Sequence, residues 1–88
     1  MFDNLKDPQK LKDMLERLSI KGLSGGGEVQ IMLSGTGLIK KVSIEDMMMR
    51  SSEKIVLENM IVAAYADAHS RLQEELIRGL ETMGMRLE

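Results

Sequence analysis

Alternating apolar positions predict two β-strands in the first half of the chain. Val29, Ile31 and Leu33 occupy every second position, a period typical of a half-buried strand, and they predict a strand over Glu28–Ser34. A second strand is predicted over Leu38–Glu45, where the alternation resumes. The intervening Gly-Thr-Gly segment is suited to a hairpin turn, because such turns require positive φ angles.

From Ser52 onward the apolar positions follow the period of a helix, which predicts a helix over residues 52–78. Its continuous apolar stripe consists of Leu57, Met60, Ile61, Ala64, Tyr65, Ala68, Leu72 and Leu76. Such a helix is roughly 39 Å long, about twice the span of an ordinary strand. We therefore expect a homodimer, with Leu72 and Leu76 at the interface, because the far end of the stripe needs a second surface to cover it.

The N-terminal region predicts a short helix and a third strand. Asp7 followed by Pro8 is typical of a helix start, and the apolar spacing that follows predicts a helix over residues 8–18. Ile20 favours a short strand within Ser19–Ser24, and a Gly-rich turn follows. The predicted fold is α+β: a helix, a three-stranded antiparallel sheet and a long C-terminal helix, forming a single domain over residues 1–88.

Composition restricts the class of protein. At 88 residues with 43% hydrophobic content and no cysteine, the chain is expected to be one small domain without disulfides or thiolate metal sites. Its apolar runs are too short for a membrane span, so no membrane partner is expected. With few aromatic residues, the nine methionines are interpreted first as core fillers and second as an adaptable binding surface, Met47–Met49 included.

No group of side chains predicts catalysis. The glycine clusters lie before strands, whereas phosphate-binding loops lie before helices. His69 has no metal-binding or catalytic partner at helical spacing. The acidic residues of the last helix are expected to form ion pairs with the arginines four residues later, Asp67 with Arg71 and Glu74 with Arg78. We therefore expect no enzyme activity, metal, cofactor or small-molecule substrate.

Charge is unevenly distributed, although the net charge is only −2. Residues 51–88 carry seven acidic and four basic side chains, whereas residues 1–24 carry four acidic and five basic ones. A polyanion would therefore contact the front of the chain. The candidate phosphate contacts are Lys10, Arg17, Lys21, Lys40 and Lys41. Lys40 and Lys41 are adjacent in the predicted strand, so their side chains are expected on opposite faces of the sheet.

The spacing of several residues resembles a known family. The resemblance covers residues 18–76 and is carried by Gly25, Gly27, Val29, Ile31, Leu33 and Gly35, then Val42-Ser43-Ile44-Glu45, then Leu57-Glu58, Ile61, Ala63-Ala64 and Asp67-Ala68. This order is similar to the patterns G-x-G-x-V-x-V-x-I-x-G, V-x-I-D and L-E-D-L-I-x-A-A-x-N-D-A of the bacterial YbaB/EbfC nucleoid-associated proteins. The predicted first helix is shorter than is usual in that family.

The resemblance implies a homodimer that binds duplex DNA in the bacterial nucleoid, and hence a cytoplasmic location. Because no zinc-based or aromatic element for base recognition is evident, we expect binding mainly through electrostatic contacts with the DNA backbone. A dimeric protein-interaction module that keeps the fold but binds DNA weakly or not at all is the alternative, and the acidic net charge favours it.

Overall fold

A computed structural model describes residues 7–82 and residue 84. The elements are helix α1 (Pro8–Arg17), strands β1 (Ile20–Leu23), β2 (Val29–Leu33) and β3 (Ile39–Ile44), helix α2 (Asp46–Ser51) and helix α3 (Lys54–Thr82). This confirms the predicted α+β order of a helix, three strands and a long C-terminal helix. The last helix begins and ends later than predicted, and the segment before it is a helix of its own.

The three strands form one antiparallel sheet in the order β1-β2-β3. Ile31 in the central strand is paired with Gly22 on one side and with Val42 on the other. Val29, Ile31 and Leu33 are fully buried, and they direct one face of the sheet toward α3. This face, called the helix face below, forms the core of the chain.

Helix α3 lies across β1 and β2, and not across β3. Ala64, Ala68 and Leu72 are its buried residues. The approach is closest at Gly22, where a Cβ atom would overlap backbone atoms of Ala64 and Ala68. Leu72 is only 5% exposed within the single chain, so this predicted interface residue belongs to the chain's own core.

Hydrogen bonds stabilise the hairpin turn between β2 and β3 and join it to α1. Ser34 Oγ accepts hydrogen bonds from the backbone N–H groups of Thr36 and Leu38, and Gly37 has the positive φ of 89° that this turn requires. The backbone N–H of Gly35 donates to the carbonyl of Leu15 in α1 over 2.7 Å. Helix α1 is therefore attached to the sheet through its C-terminal end.

The predicted start of α1 is confirmed. The Asp7 side chain accepts hydrogen bonds from the backbone N–H groups of Gln9 and Lys10, and Pro8 occupies the first helical position. In contrast, the interpretation of the methionine cluster as core filler is wrong for two members. Met47 and Met49 are exposed, and the short helix α2 that carries them has no buried residue.

Candidate nucleic-acid interface

The face of the sheet opposite α3 is uncovered and carries a row of basic residues. Paired residues share a face, and Met32 is paired with Lys21 of β1 and with Lys41 of β3. The two ammonium groups therefore project from strands about 10 Å apart, on either side of one methionine. They border a shallow depression of about 140 Å³. We call this side of the sheet the open face.

A β-bulge in β3 changes the expected directions of two lysines. Met32 is paired with Lys41, but the next residue of β2, Leu33, is paired with Ile39. Lys40 is therefore the extra residue of the bulge. The expectation that Lys40 and Lys41 point to opposite faces assumed a regular strand, and it is wrong because the bulge interrupts the alternation of side chains.

The side chain of Lys40 extends across the sheet toward the start of β1. Its Nζ atom donates to the carbonyl of Leu18 over 3.3 Å and to Ser19 Oγ over 2.9 Å. Ser19 directly precedes β1 and is two residues from Lys21, so it lies on the same side of the sheet as Lys21. Lys21, Lys40 and Lys41 are thus brought together on the open face.

The two remaining candidates lie on α1. Arg17 is the last residue of that helix and is adjacent to Leu18, the residue whose carbonyl binds Lys40. Lys10 lies about 10 Å further along the helix. It lines a surface groove of about 210 Å³ together with Arg17, Asp13 and Met14. We call Arg17, Lys21, Lys40 and Lys41 the basic corner, which Lys10 borders through the groove that it shares with Arg17.

The charge of the open face changes from basic to acidic along the strands. Beyond the basic row, Leu23, Gln30 and Ser43 form an uncharged row. The next positions in the alternation are Glu28 and Glu45, whose backbones are joined by a hydrogen bond from the Glu45 N–H to the Glu28 carbonyl. A polyanion is therefore attracted to the end of the open face near α1 and repelled from the other end.

The arginines of α3 are engaged in ion pairs. Arg71 donates to Asp67 over 3.0 Å, as predicted, but Arg78 pairs with Glu75 and not with the predicted Glu74. Both arginines line a cleft of about 620 Å³ between α3 and the start of β1. Its lining also includes Lys21, Glu74 and Glu75. Because both arginines are paired with acidic side chains, the cleft attracts an anion less than the basic corner does.

Asp67 also contacts β1, which its spacing from Arg71 did not reveal. Its carboxylate accepts a hydrogen bond from the Leu23 N–H over 2.9 Å. This hydrogen bond and the one from Arg71 lower the pKa of Asp67 below its ordinary value of 3.8. Asp67 therefore attaches the helix to the edge of the sheet, and this tertiary contact has no signal in the local sequence.

Other kinds of site lack support in the described residues. No group of three or more potential metal ligands occurs among them. The His69 ring stacks on Tyr65, with ring centroids 6.0 Å apart. Within residues 7–82, no helix combines the length and low charge needed to cross a bilayer.

The chain is similar in sequence to known proteins and in fold to a solved structure. The chain is 38% identical over 82 residues to a nucleoid-associated protein of Methylocella silvestris, covering 90% of this chain and 76% of that protein. It is 40% identical over 70 residues to a nucleoid-associated protein of Phenylobacterium zucineum, covering 76% and 65% of the two chains. The crystal structure of an uncharacterised protein from Helicobacter pylori shares the fold, with a TM-score of 0.70 at 20% identity over 93% of this chain and 86% of that one.

A family profile accounts for nearly the whole sequence. The profile of the YbaB/EbfC DNA-binding family matches residues 4–85. This range includes every helix and strand described above, and it agrees with the resemblance carried by residues 18–76. The chain belongs to the YbaB/EbfC DNA-binding family.

Proposed function

We propose that this chain binds duplex DNA as a homodimer, mainly through the phosphate backbone, within the nucleoid of a bacterial cytoplasm. The family is not enzymatic, so the function is one of binding. The observation that carries the proposal is the basic row of Lys21 and Lys41 on an uncovered sheet face, with Lys40 directed to the same side.

The proposed contacts are electrostatic and independent of base sequence. Lysine is a flexible point charge that neutralises phosphate without selecting a base. Of Phe, Tyr and Trp, the described part of the chain contains only Tyr65, which lies on α3. Base stacking therefore contributes little, and neutralisation of phosphates with release of counterions supplies the affinity.

Charge reversal at one lysine, with a matched control, tests the position of the contact. Lys41→Glu alters the basic row, whereas Lys54→Glu makes the same charge change at the first residue of α3. We expect Lys41→Glu to weaken binding to a fluorescent duplex by tenfold or more in an anisotropy titration near 50 mM salt, and Lys54→Glu to weaken it much less.

Equal losses of duplex affinity for the two variants would show that only the net charge of the chain matters. They would contradict a contact on the open face. The test also requires that both variants keep the far-ultraviolet circular dichroism of the wild type. Unrelated duplex sequences of equal length should give the same ranking of variants, because phosphate contacts carry no base information.

A dimeric protein-interaction module is the second candidate. It is favoured by the net charge of −2, by the acidic end of the open face at Glu28 and Glu45, and by the excess of acidic residues in α3. Absence of duplex binding near 50 mM salt, where phosphate contacts are strongest, would favour this module over the DNA-binding function.

A further inference from the structure

Helix α1 is joined to the sheet by hydrogen bonds near its C-terminal end. In the described part of the chain two hydrogen bonds make this connection. The Gly35 N–H donates to the Leu15 carbonyl over 2.7 Å, and Lys40 Nζ donates to the Leu18 carbonyl over 3.3 Å. No residue of α1 is buried, so packing adds little to the attachment. These hydrogen bonds therefore determine the direction in which the helix extends.

The two hydrogen bonds come from different parts of the sheet. Gly35 belongs to the hairpin turn between β2 and β3, whereas Lys40 is the extra residue of the bulge in β3. Their acceptors lie three residues apart, at Leu15 within the helix and at the C-cap residue Leu18. A helix attached at one point is able to pivot, whereas a second attachment at a separate point opposes a change of direction. Lys40 supplies the second attachment of α1.

The bulge and the charge of Lys40 both suit this contact. A bulge changes the direction of its extra side chain, and here Lys40 reaches the start of β1, where Ser19 Oγ accepts a hydrogen bond over 2.9 Å. The C-terminal end of a helix carries partial negative charge on its unpaired carbonyl groups, and an ammonium group stabilises it. Two acceptors of the chain itself therefore bind the Lys40 ammonium group.

We infer that Lys40 is a positioning residue for duplex binding, which holds α1 beside the open face and acts through that helix instead of contacting phosphate. This inference rests on the proposed function and assigns Lys40 a role different from that of its neighbours. The described residues show no hydrogen bond or ion pair to the ammonium groups of Lys21 and Lys41, which are therefore available to phosphate. With Lys10 and Arg17 of α1, they remain the candidate phosphate contacts.

A small tilt of α1 changes where its basic side chains lie. Lys10 is about 10 Å from the attached end of the helix, so a tilt of about 20° moves it by about 3 Å, the length of a hydrogen bond. A helix that pivots freely has the productive direction for only part of the time, and the apparent affinity is reduced by that fraction. The bound complex keeps the same phosphate contacts, so its salt dependence is unchanged.

Loss of one lysine charge at either of two adjacent positions distinguishes positioning from phosphate contact. Lys40→Met and Lys41→Met make the same change in β3, and methionine is unbranched like lysine. We expect Lys40→Met to weaken binding to a fluorescent duplex about fivefold at each salt concentration, with the wild-type salt slope. Lys41→Met should reduce the magnitude of the slope by about one for each copy that contacts the duplex.

Either of two results would overturn the inference. An equal reduction of the salt slope in the two variants would show that Lys40 contacts phosphate. An unchanged duplex affinity of Lys40→Met would show that the second attachment of α1 has no part in binding.

A conservative substitution separates positioning from a role in overall stability. Lys40→Arg keeps the positive charge and the hydrogen-bond donors, so it should retain an affinity within about twofold of the wild type. The melting temperature of Lys40→Met should stay close to that of the wild type, because α1 buries no side chain. A large decrease in melting temperature, with no recovery of affinity in Lys40→Arg, would show that Lys40 serves the fold as a whole.

Backbone dynamics test the attachment without DNA. In nuclear magnetic resonance relaxation, the order parameters of the α1 amides should fall in Lys40→Met from about 0.85 toward about 0.6, while those of α3 stay unchanged. Ser19→Ala removes one acceptor of the Lys40 ammonium group without a change in charge, so it should lower the same order parameters by less. This second variant keeps the inference testable if Lys40→Met does not fold.

The dynamics also distinguish failure of the inference from failure of the proposed function. Unchanged order parameters of α1 in both Lys40→Met and Ser19→Ala would overturn the inference, even if the wild type binds duplex DNA. A wild-type chain that binds no duplex near 50 mM salt, but whose α1 loses order in Lys40→Met, would contradict the proposed function and confirm the attachment.

Discussion

The carboxylate of Asp67 joins helix α3 to the edge of the sheet. It accepts hydrogen bonds from the Leu23 N–H and from Arg71 Nε, at 2.9 and 3.0 Å. The N–H of Leu23 points away from β2, because β1 is an edge strand and its neighbour Ser24 donates to Val29. Asp67 therefore satisfies a backbone donor that has no strand partner and closes this edge to further pairing.

Asp67→Asn should lower the melting temperature at pH 7, because the substitution keeps an acceptor for Leu23 and removes the charge that Arg71 binds. The pKa of Asp67 is lower in the folded chain than in the unfolded chain. Its charge therefore stabilises the fold above pH 3.8, and this stabilisation is lost as the pH falls through the folded pKa. The difference in melting temperature between the variant and the wild type should shrink in acid.

Thermal denaturation followed by circular dichroism at neutral and acidic pH measures this effect. Glu75→Gln is the control, because Glu75 forms only an exposed ion pair with Arg78 on the helix surface. A constant difference between Asp67→Asn and the wild type at all pH values would contradict a role for the charge.

The contact between α3 and β1 depends on small residues. Gly22 lies against the backbone of the helix at Ala64 and Ala68, and both alanines are fully buried. A larger side chain at any of the three positions would separate the helix from the sheet. This close packing explains how a chain with a thin core holds a long helix on two strands.

Gly22→Ala should destabilise the fold by about 3 kcal/mol, at or above the usual range for overpacking, because the new Cβ meets backbone atoms and not a flexible side chain. Gly25→Ala is the matched control, since no atom lies within 4 Å of a Cβ at that position. Urea denaturation compares the two variants. Similar midpoints for Gly22→Ala and the wild type would contradict the packing described for α3.

The order of elements follows from local patterns, whereas several details of the site do not. The period-two residues of β2 face the core, as predicted from their spacing, and so do Ala64, Ala68 and Leu72 of the helical stripe of α3. The bulge at Lys40 depends on how the hairpin closes, so a strict alternation assigned this side chain to the wrong face of the sheet. Arg78 can reach either Glu74 or Glu75, which lie four and three residues before it, and spacing alone does not show that it pairs with Glu75.

Burial was also only partly predictable. The apolar stripe of α3 contains both Leu72, which one chain buries, and Leu76, which it leaves exposed. The sequence pattern does not separate them, because the point where the sheet ends beneath the helix is a tertiary property. The place of Leu76 at a dimer interface stays a prediction.

The shape and charge of the chain suggest how its surfaces are divided. The principal extents are 51 × 25 × 15 Å, so the chain is long and flat. The open face is basic near α1 and acidic near Glu28 and Glu45, and the helix face has exposed apolar side chains at Ile39 and Val42. We therefore expect duplex DNA to contact the basic corner of the open face and to avoid its acidic end.

The salt dependence of duplex binding by the wild-type dimer tests whether backbone phosphates supply the affinity. If all five candidate side chains of both copies contact phosphate, the logarithm of the association constant should fall with a slope of about −9 against the logarithm of salt concentration. Between 50 and 200 mM salt the affinity should then decrease by about 10⁵-fold, equally for unrelated duplexes. A slope near zero, or no binding near 50 mM salt, would contradict DNA binding through the basic corner.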